Sequence, residues 1–364
     1  MSLCAGRLRR IRLIRRAEPP RFWYNNRRMD GNLPVSLLFL FGGLFLLGWS
    51  ANRFVDGASA LAKAFGVSPF VVGMVIIGFG TSAPELMVSV LSGVSDHSNL
   101  SLGNAYGSCI FNIAAILGVA ALIHPLRVRK SIAWISSPLL FAISVASFFM
   151  VRDMSFSRAN GFVLLGLFAL VMPLYCWFDR KSGASEEAAP KADDAAPIPM
   201  SRAWILLVVG LAVLVGSSHL LVKGAVVVAQ FIADAVGFDP KRAELIIGLA
   251  VVSVGTSLPE LASAIASARK GENEFVLGNI VGSNLFNMLA VVGIAGSISP
   301  FKDYSTFIVS RDVPVMAALS ISILLFGANW RNPRERGRTG RVCGALWLLA
   351  FIAYMSVMVY QEIH

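Results

Sequence analysis

A polar and acidic motif occurs twice in this chain, each time within an apolar run. Residues 78–86 read GFGTSAPEL, and residues 253–261, 175 positions later, read SVGTSLPEL. The following segments repeat with the same offset, since 103–112 reads GNAYGSCIFN and 278–287 reads GNIVGSNLFN. Such residues are rare in hydrophobic spans, and chance is a poor explanation for two copies in the same register. The chain is therefore predicted to consist of two repeated halves.

The overall composition is that of a membrane protein. Of the 364 residues, 56% are hydrophobic and 15% charged, and the mean hydropathy is +0.68. The net charge of +11 lies largely beside apolar spans, where basic loops set membrane orientation, so no nucleic-acid partner is expected. The four cysteines have neither metal-ligand nor disulfide spacing. The lipid bilayer is thus the expected environment.

Hydropathy and length predict an all-α membrane protein with ten transmembrane helices. One helix in each half contains the proline of the motif, Pro84 or Pro259, and is expected to break there. The predicted spans are 34–55 (with helix continuing toward 65), 69–94, 101–123, 132–150, 159–178, 203–233, 243–268, 275–297, 307–327 and 342–360.

These spans divide the chain into two halves of five. Residues 1–33 form a basic N-terminal tail, 34–178 the first five-helix repeat, 179–202 a connector, and 203–364 the second five-helix repeat. Because five is an odd number, the second half enters the membrane from the opposite side. The sequence therefore predicts two inverted repeats, an architecture found in many secondary transporters.

The distribution of lysine and arginine over the loops predicts the orientation. One set of loops is richer in these residues, so the connector 179–202 is predicted to be cytoplasmic and both termini external. The nine arginines in residues 1–28, a basic tail or a targeting segment, conflict with this orientation, and a native start at Met29 would remove the conflict. A bacterial inner membrane is the expected location. The richer set holds Arg53, Lys63, Arg127, Arg129, Lys130, Arg180, Lys181, Lys191, Arg202, Arg269, Lys270 and the arginines of 331–341, and the other set holds Arg152, Arg158, Lys223, Lys241, Arg242, Lys302 and Arg311.

The Ser-x-Pro-Glu part of the motif has two interpretations. By local rules Ser82 is an N-cap and Glu85 completes a capping box by reaching back to the Ser82 amide. Within a bilayer, however, an ionised carboxylate costs at least ~2.5–3.5 kcal/mol, and a glutamine would cap nearly as well. Glutamate occurs at both equivalent positions, Glu85 and Glu260. This favours a functional carboxylate over a cap.

The groups around the two carboxylates are nearly all oxygens. The motif supplies hydroxyls, the proline breaks are expected to free backbone carbonyls near Gly78 and Ser253, and a Ser-x-x-x-Asn pair follows on one helix face. The side chains concerned are Thr81, Ser82, Ser108, Asn112, Thr256, Ser257, Ser283 and Asn287. An all-oxygen site with two negative charges suits a hard cation such as Ca²⁺, and Na⁺ tolerates the same ligands. Two glutamates balance one Ca²⁺ or two Na⁺.

Several glycines are interpreted as packing residues. The small-xxx-small pairs at 103–107 and 278–282 predict close helix contacts. Upstream of the motif the offset between the halves changes, since Gly57 matches Gly224 at 167 positions. The second copy therefore contains about eight extra residues before its motif.

Other polar residues are given structural roles. Asn104 and Asn279 are expected to hydrogen-bond between helices rather than bind ions, and Asp56 is expected to form an ion pair. Cys109, which matches Asn284 in the second copy, is interpreted as a packing residue.

The doubled pattern of Gly-Thr-Ser-x-Pro-Glu-Leu followed by Gly-Asn-x-x-Gly-Ser-x-x-Phe-Asn resembles the two alpha repeats of the calcium/cation antiporter superfamily. It most resembles the bacterial sodium/calcium exchanger branch, over residues from about 34 to 360. The resemblance implies secondary active exchange of Na⁺ for Ca²⁺ by alternating access, with no cofactor. It also implies that Glu85 and Glu260 are central ligands of both ions.

The resemblance assigns the remaining ligands residue by residue. Thr81, Ser82, Ser108, Thr256, Ser257 and Ser283 complete the sites, with carbonyls at Gly78 and Ser253. Asn112 and Asn287 occupy positions where some relatives carry Asp in one repeat, which leaves the stoichiometry and the involvement of H⁺ or K⁺ open.

Other functions remain as alternatives. A proton-coupled antiporter of the same fold would use the same carboxylates and is separated by its sodium dependence. A passive cation channel would show uncoupled conductance, but no repeated selectivity filter is visible. A purely structural protein would tolerate loss of the glutamates, and an enzyme is not expected because the polar set lacks a nucleophile–base pair. The oligomeric state, monomer or homo-oligomer, is left open.

Overall fold

The computed structural model describes residues 33–94, 98–181, 198–235, 253–302, 304–332 and 335–363. These residues form a bundle of long helices with two short β-ladders. The helices are α1 (Leu33–Phe65), α2 (Pro69–Thr81), α3 (Ala83–Val94), α4 (Ser98–Ile123), α5 (Ile132–Val151), α6 (Arg158–Lys181), α7 (Met200–Ala235), α8 (Ser253–Gly255), α9 (Leu258–Arg269), α10 (Asn273–Ile298), α11 (Ile308–Gly327) and α12 (Arg341–Ile363). The strands are β1 (Leu126–Val128), β2 (Ser155–Phe156), β3 (Phe301–Lys302) and β4 (Gly337–Thr339).

Eight helices in the described part of the chain are long and apolar enough to cross a membrane, and α2 with α3 makes a ninth, broken span. Their bounds follow the predicted spans closely. The predicted span 243–268 lies partly outside the described residues, which contain only its later part as α8 and α9. The chain is an α-helical integral membrane protein.

Both motif segments are interrupted at a serine. Ser82 separates α2 from α3, with φ −84° and ψ 6°, and the two helix axes differ by 45°. Ser257 precedes α9 with nearly the same conformation, φ −93° and ψ 9°. Two residues later Pro84 or Pro259 has no N–H to continue the helical ladder. The predicted break is confirmed in both copies.

Helices α1 and α7 cross with their backbones in contact. A Cβ on Gly57 would lie 2.5 Å from the backbone nitrogen of Leu207, and one on Gly224 would lie 2.6 Å from that of Leu40. Leu40 and Leu207 are themselves 167 positions apart. The two contacts are therefore equivalent in the two halves, and the register predicted from Gly57 and Gly224 is confirmed.

A second glycine pair repeats this arrangement further along the same crossing. A Cβ on Gly43 would lie 2.9 Å from the backbone nitrogen of Leu221, and one on Gly210 would lie 2.8 Å from that of Phe54. Both pairs again match at 167 positions. Any side chain at these four glycines would force the two helices apart.

Helix α10 packs closely on α2, as the small-xxx-small pattern predicted. A Cβ on Gly278 would overlap the carbonyl oxygen of Phe70, and one on Gly282 would overlap that of Met74. This contact presses the helix that carries Ser283 against the first motif. The equivalent partners of residues 103–107 fall outside the described residues.

Two antiparallel β-ladders lie at opposite ends of the bundle. β1 pairs with β4, and β2 pairs with β3. β1 precedes α5 and β2 follows it, so one whole span separates the ladders. β1 and β3 precede equivalent spans, yet they lie at opposite ends. The β1–β4 ladder also places the basic loops at 127–130 and 331–341 at one end, as their grouping predicted.

Ion pairs join other loops at the end of the bundle that carries β1. Lys270 Nζ donates to Asp56 Oδ1 at 2.6 Å, which confirms the ion pair predicted for Asp56. Arg129, which follows β1, donates to Glu274 at 3.4 Å, and Ser59 of α1 donates to Glu272 Oε1 at 3.3 Å. The loop between α9 and α10 therefore contacts α1, and the first turn of α10 contacts the segment after β1.

Helices α4 and α10 each contain a widened, π-helical turn beside the repeated asparagines. The turns span Asn112–Leu117 and Phe286–Val291. Such turns occur frequently at functional sites, and the sequence analysis did not predict them.

Candidate cation site

The glutamates and serines of the two motifs meet inside the bundle, and all four side chains are fully buried. Ser82 Oγ donates to Glu260 Oε1 at 3.0 Å. Ser257 Oγ donates to Glu85 Oε1 at 2.9 Å. Each carboxylate is thus held by the serine of the other half, and the site exists only where the two breaks face each other.

The capping-box interpretation of the motif is wrong. The Ser82 N–H donates to the Gly78 carbonyl at 3.1 Å, and the Glu85 side chain turns to Ser257 instead of the Ser82 amide. Ser257, at the N-cap of α9, makes no side-chain capping bond. Hydrogen bonds to a charged group contribute ~1.5–3 kcal/mol, more than neutral ones. A serine across the interface therefore outcompetes the local cap.

Asn104 and Asn279 brace the two motif helices. The Nδ2 atom of each donates to the backbone carbonyl of its own half's glutamate, at 3.1 Å for Asn104 and 3.4 Å for Asn279. Their Oδ1 atoms lie 3.4 Å from hydroxyls of the opposite half, those of Thr256 and Thr81 respectively, and the Thr81 hydroxyl also lies 2.9 Å from the Ile77 carbonyl of its own helix. The interhelical role predicted for both asparagines is confirmed. Thr81 and Thr256 thus lie beside the carboxylates, as predicted.

Each of these asparagines also donates to a serine one turn further along the motif helix, at 3.1 Å in both halves. The two serines are not at equivalent positions, since Ser89 is four residues after Glu85 and Ser263 is three residues after Glu260. Positions three and four residues apart share a helix face. The asparagine-to-serine hydrogen bond therefore forms in both halves, although the two serine positions differ by one residue.

Ser108 and Ser283 lie at the edge of the carboxylate pair, on α4 and α10. Ser108 Oγ lies 3.1 Å from Ser257 Oγ and donates to it, because the Ser257 hydroxyl proton is given to Glu85. Ser283 Oγ lies 3.4 Å from the Gly78 carbonyl and 3.4 Å from Asn279 Oδ1. Both predicted serines are therefore brought to the site, each in contact with the other half or with its bracing asparagine.

The carbonyl released by the break is not where the sequence placed it. The Gly78 carbonyl keeps a helical donor at 3.1 Å, so the prediction that it is freed is wrong. Pro259 instead has no N–H for Gly255, and Ser218 Oγ of α7 donates to the Gly255 carbonyl at 2.9 Å. Ser253 begins α8, and its side chain lies outside the described residues.

The asparagines Asn112, Asn284 and Asn287 are fully buried beside the serines. Asn112 Nδ2 donates to Asn284 Oδ1 at 3.1 Å, and Cys109 Sγ lies 3.8 Å from the Asn284 carbonyl. The sequence analysis overlooked Asn284. A polar side chain in an apolar span, opposite a cysteine in the other copy, is the signal that could have revealed it.

Several buried oxygens have no hydrogen-bond donor in the described part of the chain. They include Glu85 Oε2, Glu260 Oε2, Asn112 Oδ1 and Asn287 Oδ1. No ion pair among the described residues involves either glutamate. A buried carboxylate without a positive partner is strongly destabilising. These atoms are the oxygen ligands that a hard cation takes, and a cation or a proton would neutralise them.

The donor set differs from that of a structural metal site. Within the described ranges, no group of three or more His, Cys, Asp or Glu side chains could hold a metal ion. The site has two carboxylates, supplemented by neutral hydroxyl and amide oxygens. Affinity for cations rises with the number of charged ligands, so this set is suited to an ion that binds and leaves.

The two halves also match a known family. The model of the family described as sodium/calcium exchanger protein matches residues 35–177 and 202–360. The putative antiporter CaxA of Alkalimonas amylolytica is 37% identical over 326 residues, which cover 89% of this chain and 98% of that protein. The inner membrane protein YrbG of Escherichia coli K12 is 34% identical over 330 residues, covering 90% and 97%.

Similarity extends to a named exchanger and to a solved structure. The sodium/calcium exchanger MaX1 of Methanosarcina acetivorans is 27% identical over 366 residues, covering 90% of this chain and 99% of that protein. A structure of the sodium-calcium exchanger NCX_Mj, soaked with Na⁺ and Sr²⁺, superposes with a TM-score of 0.72 at 27% identity, covering 89% and 98%. With both halves matched and the fold shared, the chain belongs to the sodium/calcium exchanger family, a family of membrane antiporters.

Proposed function

We propose that this protein exchanges Na⁺ for Ca²⁺ across a membrane through the site formed by Glu85 and Glu260. The observation that carries the proposal is the pair of fully buried carboxylates, each with one oxygen that accepts no hydrogen bond from a described group. Two negative charges balance one Ca²⁺ or two Na⁺. The same atoms can therefore serve either ion, but not both at once, which couples the two fluxes.

The remaining ligands are those that the sequence predicted. The Ser82 and Ser257 hydroxyls donate to the carboxylates, and the Oδ1 atoms of Asn112 and Asn287 are buried and accept no hydrogen bond from a described group. Ca²⁺ takes about six to eight oxygens in flexible geometry. The full proposed set is Thr81, Ser82, Glu85, Ser108, Asn112, Thr256, Ser257, Glu260, Ser283 and Asn287, with the backbone carbonyl of Ser253.

The proposed architecture is ten transmembrane helices in two inverted repeats, 34–178 and 203–364, joined by a cytoplasmic connector at 179–202. Support comes from the ladders, because β1 and β3 precede equivalent spans at opposite ends of the bundle. It also comes from the glycine contacts of α1 with α7, which match at 167 positions. Residues 1–33 form a basic tail, and the bacterial relatives favour an inner-membrane location.

Alternating access is the proposed mechanism. Helices α1 and α7 contact each other through backbone at four glycines, so they form one rigid pair beside the site. This pair slides or tilts across the motif helices and exposes the ions to one side at a time. The ions stay bound between the two breaks while access changes.

A proton-coupled antiporter is the second candidate. The observation that favours it is that neither buried glutamate has an ion-pair partner among the described residues. A carboxylate in such a place is neutralised by a cation or by a proton. The two candidates use the same residues and differ in the ion that replaces Ca²⁺.

The deciding experiment is Ca²⁺ uptake into proteoliposomes loaded with Na⁺, with and without an outward Na⁺ gradient. Sodium/calcium exchange predicts uptake that requires internal Na⁺ and is lost in Glu85→Gln. Uptake that ignores Na⁺ but follows a pH gradient would establish the proton-coupled candidate. If Glu85→Gln transported Ca²⁺ as well as the parent protein, the site assignment would be wrong.

A further inference from the structure

Two arginines face each other across the β1–β4 ladder. Arg127 is the register partner of Arg338, and both are exposed, whereas the four flanking residues of the ladder are buried. Like charges placed directly opposite on an antiparallel pair are destabilising. No ion pair among the described residues involves Arg127 or Arg338. The ladder therefore holds two positive charges together without a described acidic partner.

A surface cavity of about 380 Å³ adjoins Arg338, the ladder partner of Arg127. Its described lining contains Arg331, Arg336 and Arg338 and has no carboxylate. The planar guanidinium group matches the oxygens of a phosphate and binds them through two parallel hydrogen bonds. The charge and the donor geometry both select an oxyanion.

Aromatic side chains place the cavity at the membrane–water boundary. Trp330, in the cavity wall, packs edge to face with Trp134 of α5, with ring centroids 5.5 Å apart. The two side chains are 56% and 40% exposed. Exposed tryptophans are enriched at the level of lipid headgroups. Lipid phosphates lie at this level of the membrane.

An apolar surface begins next to the arginines. Helix α12 starts three residues after Arg338 and presents Val342, Leu346 and Leu349, which are 75%, 48% and 60% exposed. These residues follow one another at helical spacing along one face. A phosphate at the ladder would therefore have an apolar track for its acyl chain.

We propose that Arg127, Arg331, Arg336 and Arg338 bind the phosphate of an anionic phospholipid whose acyl chain lies along α12. Anionic headgroups attract basic segments at the membrane surface. β1 belongs to the first half of the chain and β4 to the second, so the lipid bridges the two halves at this end. A ligand that binds only the folded protein stabilises it.

The test compares phosphatidylglycerol and phosphatidylcholine as ligands of the full-length protein, purified with its native lipid removed. Bound lipid is counted by native mass spectrometry, and thermal unfolding is followed in parallel. The parent protein is expected to bind phosphatidylglycerol preferentially and to unfold at a higher temperature with it. The double variant Arg127→Gln/Arg338→Gln is expected to bind it at least about tenfold more weakly, because charge-assisted bonds are lost.

Matched variants separate a lipid site from a general charge effect. Arg127→Lys/Arg338→Lys keeps the charge that orients the loops and is expected to bind at an intermediate level, because Lys lacks the guanidinium fork. Arg152→Gln removes an exposed arginine at the opposite end of the bundle and is expected to bind as the parent does. Inorganic phosphate at equal concentration is expected neither to compete nor to stabilise.

Three results would overturn the proposal. One is unchanged phosphatidylglycerol binding in the double Gln variant, and another is an equal loss in Arg152→Gln. The third is competition by inorganic phosphate as strong as that of the lipid, which would make the ligand a free anion. None of these readouts measures transport, so the outcome is independent of the proposed exchange activity.

Discussion

The two halves of the cation site are nearly identical at the glutamates. The serine of one half reaches the carboxylate of the other at 3.0 Å in one direction and 2.9 Å in the other. The threonine-to-asparagine bonds that cross between the halves are both 3.4 Å. An antiporter site must hold the same ions while it faces either side of the membrane. Equal halves meet this requirement because they offer the ion equivalent surroundings from both directions.

The two halves differ in the contacts that surround the glutamates and their serine partners. The Gly255 carbonyl, released by the second break, accepts a hydrogen bond from Ser218 of α7. Ser218 corresponds to Ala51 of α1 at the 167 offset, and alanine has no hydroxyl to offer Gly80, which corresponds to Gly255. Asn284 likewise corresponds to Cys109. The carboxylates and the serines that donate to them are thus equivalent in the two halves, whereas these outer contacts differ.

The largest effect is expected from substitution of either glutamate of the pair. Glu85→Gln and Glu260→Gln are each expected to lower Ca²⁺ uptake at subsaturating Ca²⁺ at least about 100-fold, because losing a buried charge partner costs ~3–5 kcal/mol. The two losses are expected to be equal. Uptake into proteoliposomes measures them, with Glu335→Gln, an exposed loop residue, as the control. A tenfold difference between the two variants would show that the halves are not equivalent.

The crossed serines give the next largest effect. Ser82→Ala and Ser257→Ala each remove a hydrogen bond to a carboxylate, which is worth ~1.5–3 kcal/mol, or about 10–100-fold in apparent Ca²⁺ affinity. Titration of uptake against Ca²⁺ measures the change. Ser82→Thr and Ser257→Thr keep the hydroxyl and are expected to retain most of the affinity. Equal losses in the Ala and Thr variants would mean that packing, not the hydroxyl, matters there.

The glycine crossing tests the equivalence of the halves through stability. Gly57→Ala and Gly224→Ala place a Cβ within 2.6 Å of the facing backbone, so each is expected to destabilise the protein by ~1–3 kcal/mol. Thermal unfolding in detergent measures the effect. Gly48→Ala and Gly216→Ala, on the same two helices, meet no described atom within 4 Å and are expected to be neutral. If only one of the two substitutions, Gly57→Ala or Gly224→Ala, destabilised the protein, the two contacts would not contribute equally to stability.

The smallest effect concerns the carbonyl that differs between the halves. Ser218→Ala leaves the Gly255 carbonyl without its hydroxyl donor, and a hydrogen bond of this kind contributes ~0.5–1.5 kcal/mol to stability. The matched control is Ser217→Ala, which loses only a bond to the Leu214 carbonyl of its own helix. Ala51→Ser is expected to make the first half resemble the second without loss of stability. A Ser218→Ala variant no less stable than Ser217→Ala would contradict the role given to Ser218.

The apolar spans, the two helix breaks and the identity of the buried acids can be predicted from the sequence alone. These features follow from local chemistry. A run of about 20 apolar residues is long enough to span a bilayer. Pro84 and Pro259 lack a backbone N–H and so interrupt a helix. Burying the charges of Glu85 and Glu260 in a membrane costs free energy, so two such residues indicate a functional role. The repeat strengthens each prediction, because the second copy has the same apolar span, proline and glutamate as the first.

The hydrogen bonds that hold the two acids depend on how the two halves pack together. The capping rule considers neighbours along the chain, but Ser82 and Glu260 are 178 positions apart and meet because the two halves pack face to face. The carbonyl freed at Gly255, the contact of Asn112 with Asn284, and the pairing of β1 with β4 depend in the same way on distant elements. Local sequence specifies which groups need partners, whereas the packing of the halves decides which partners lie within reach.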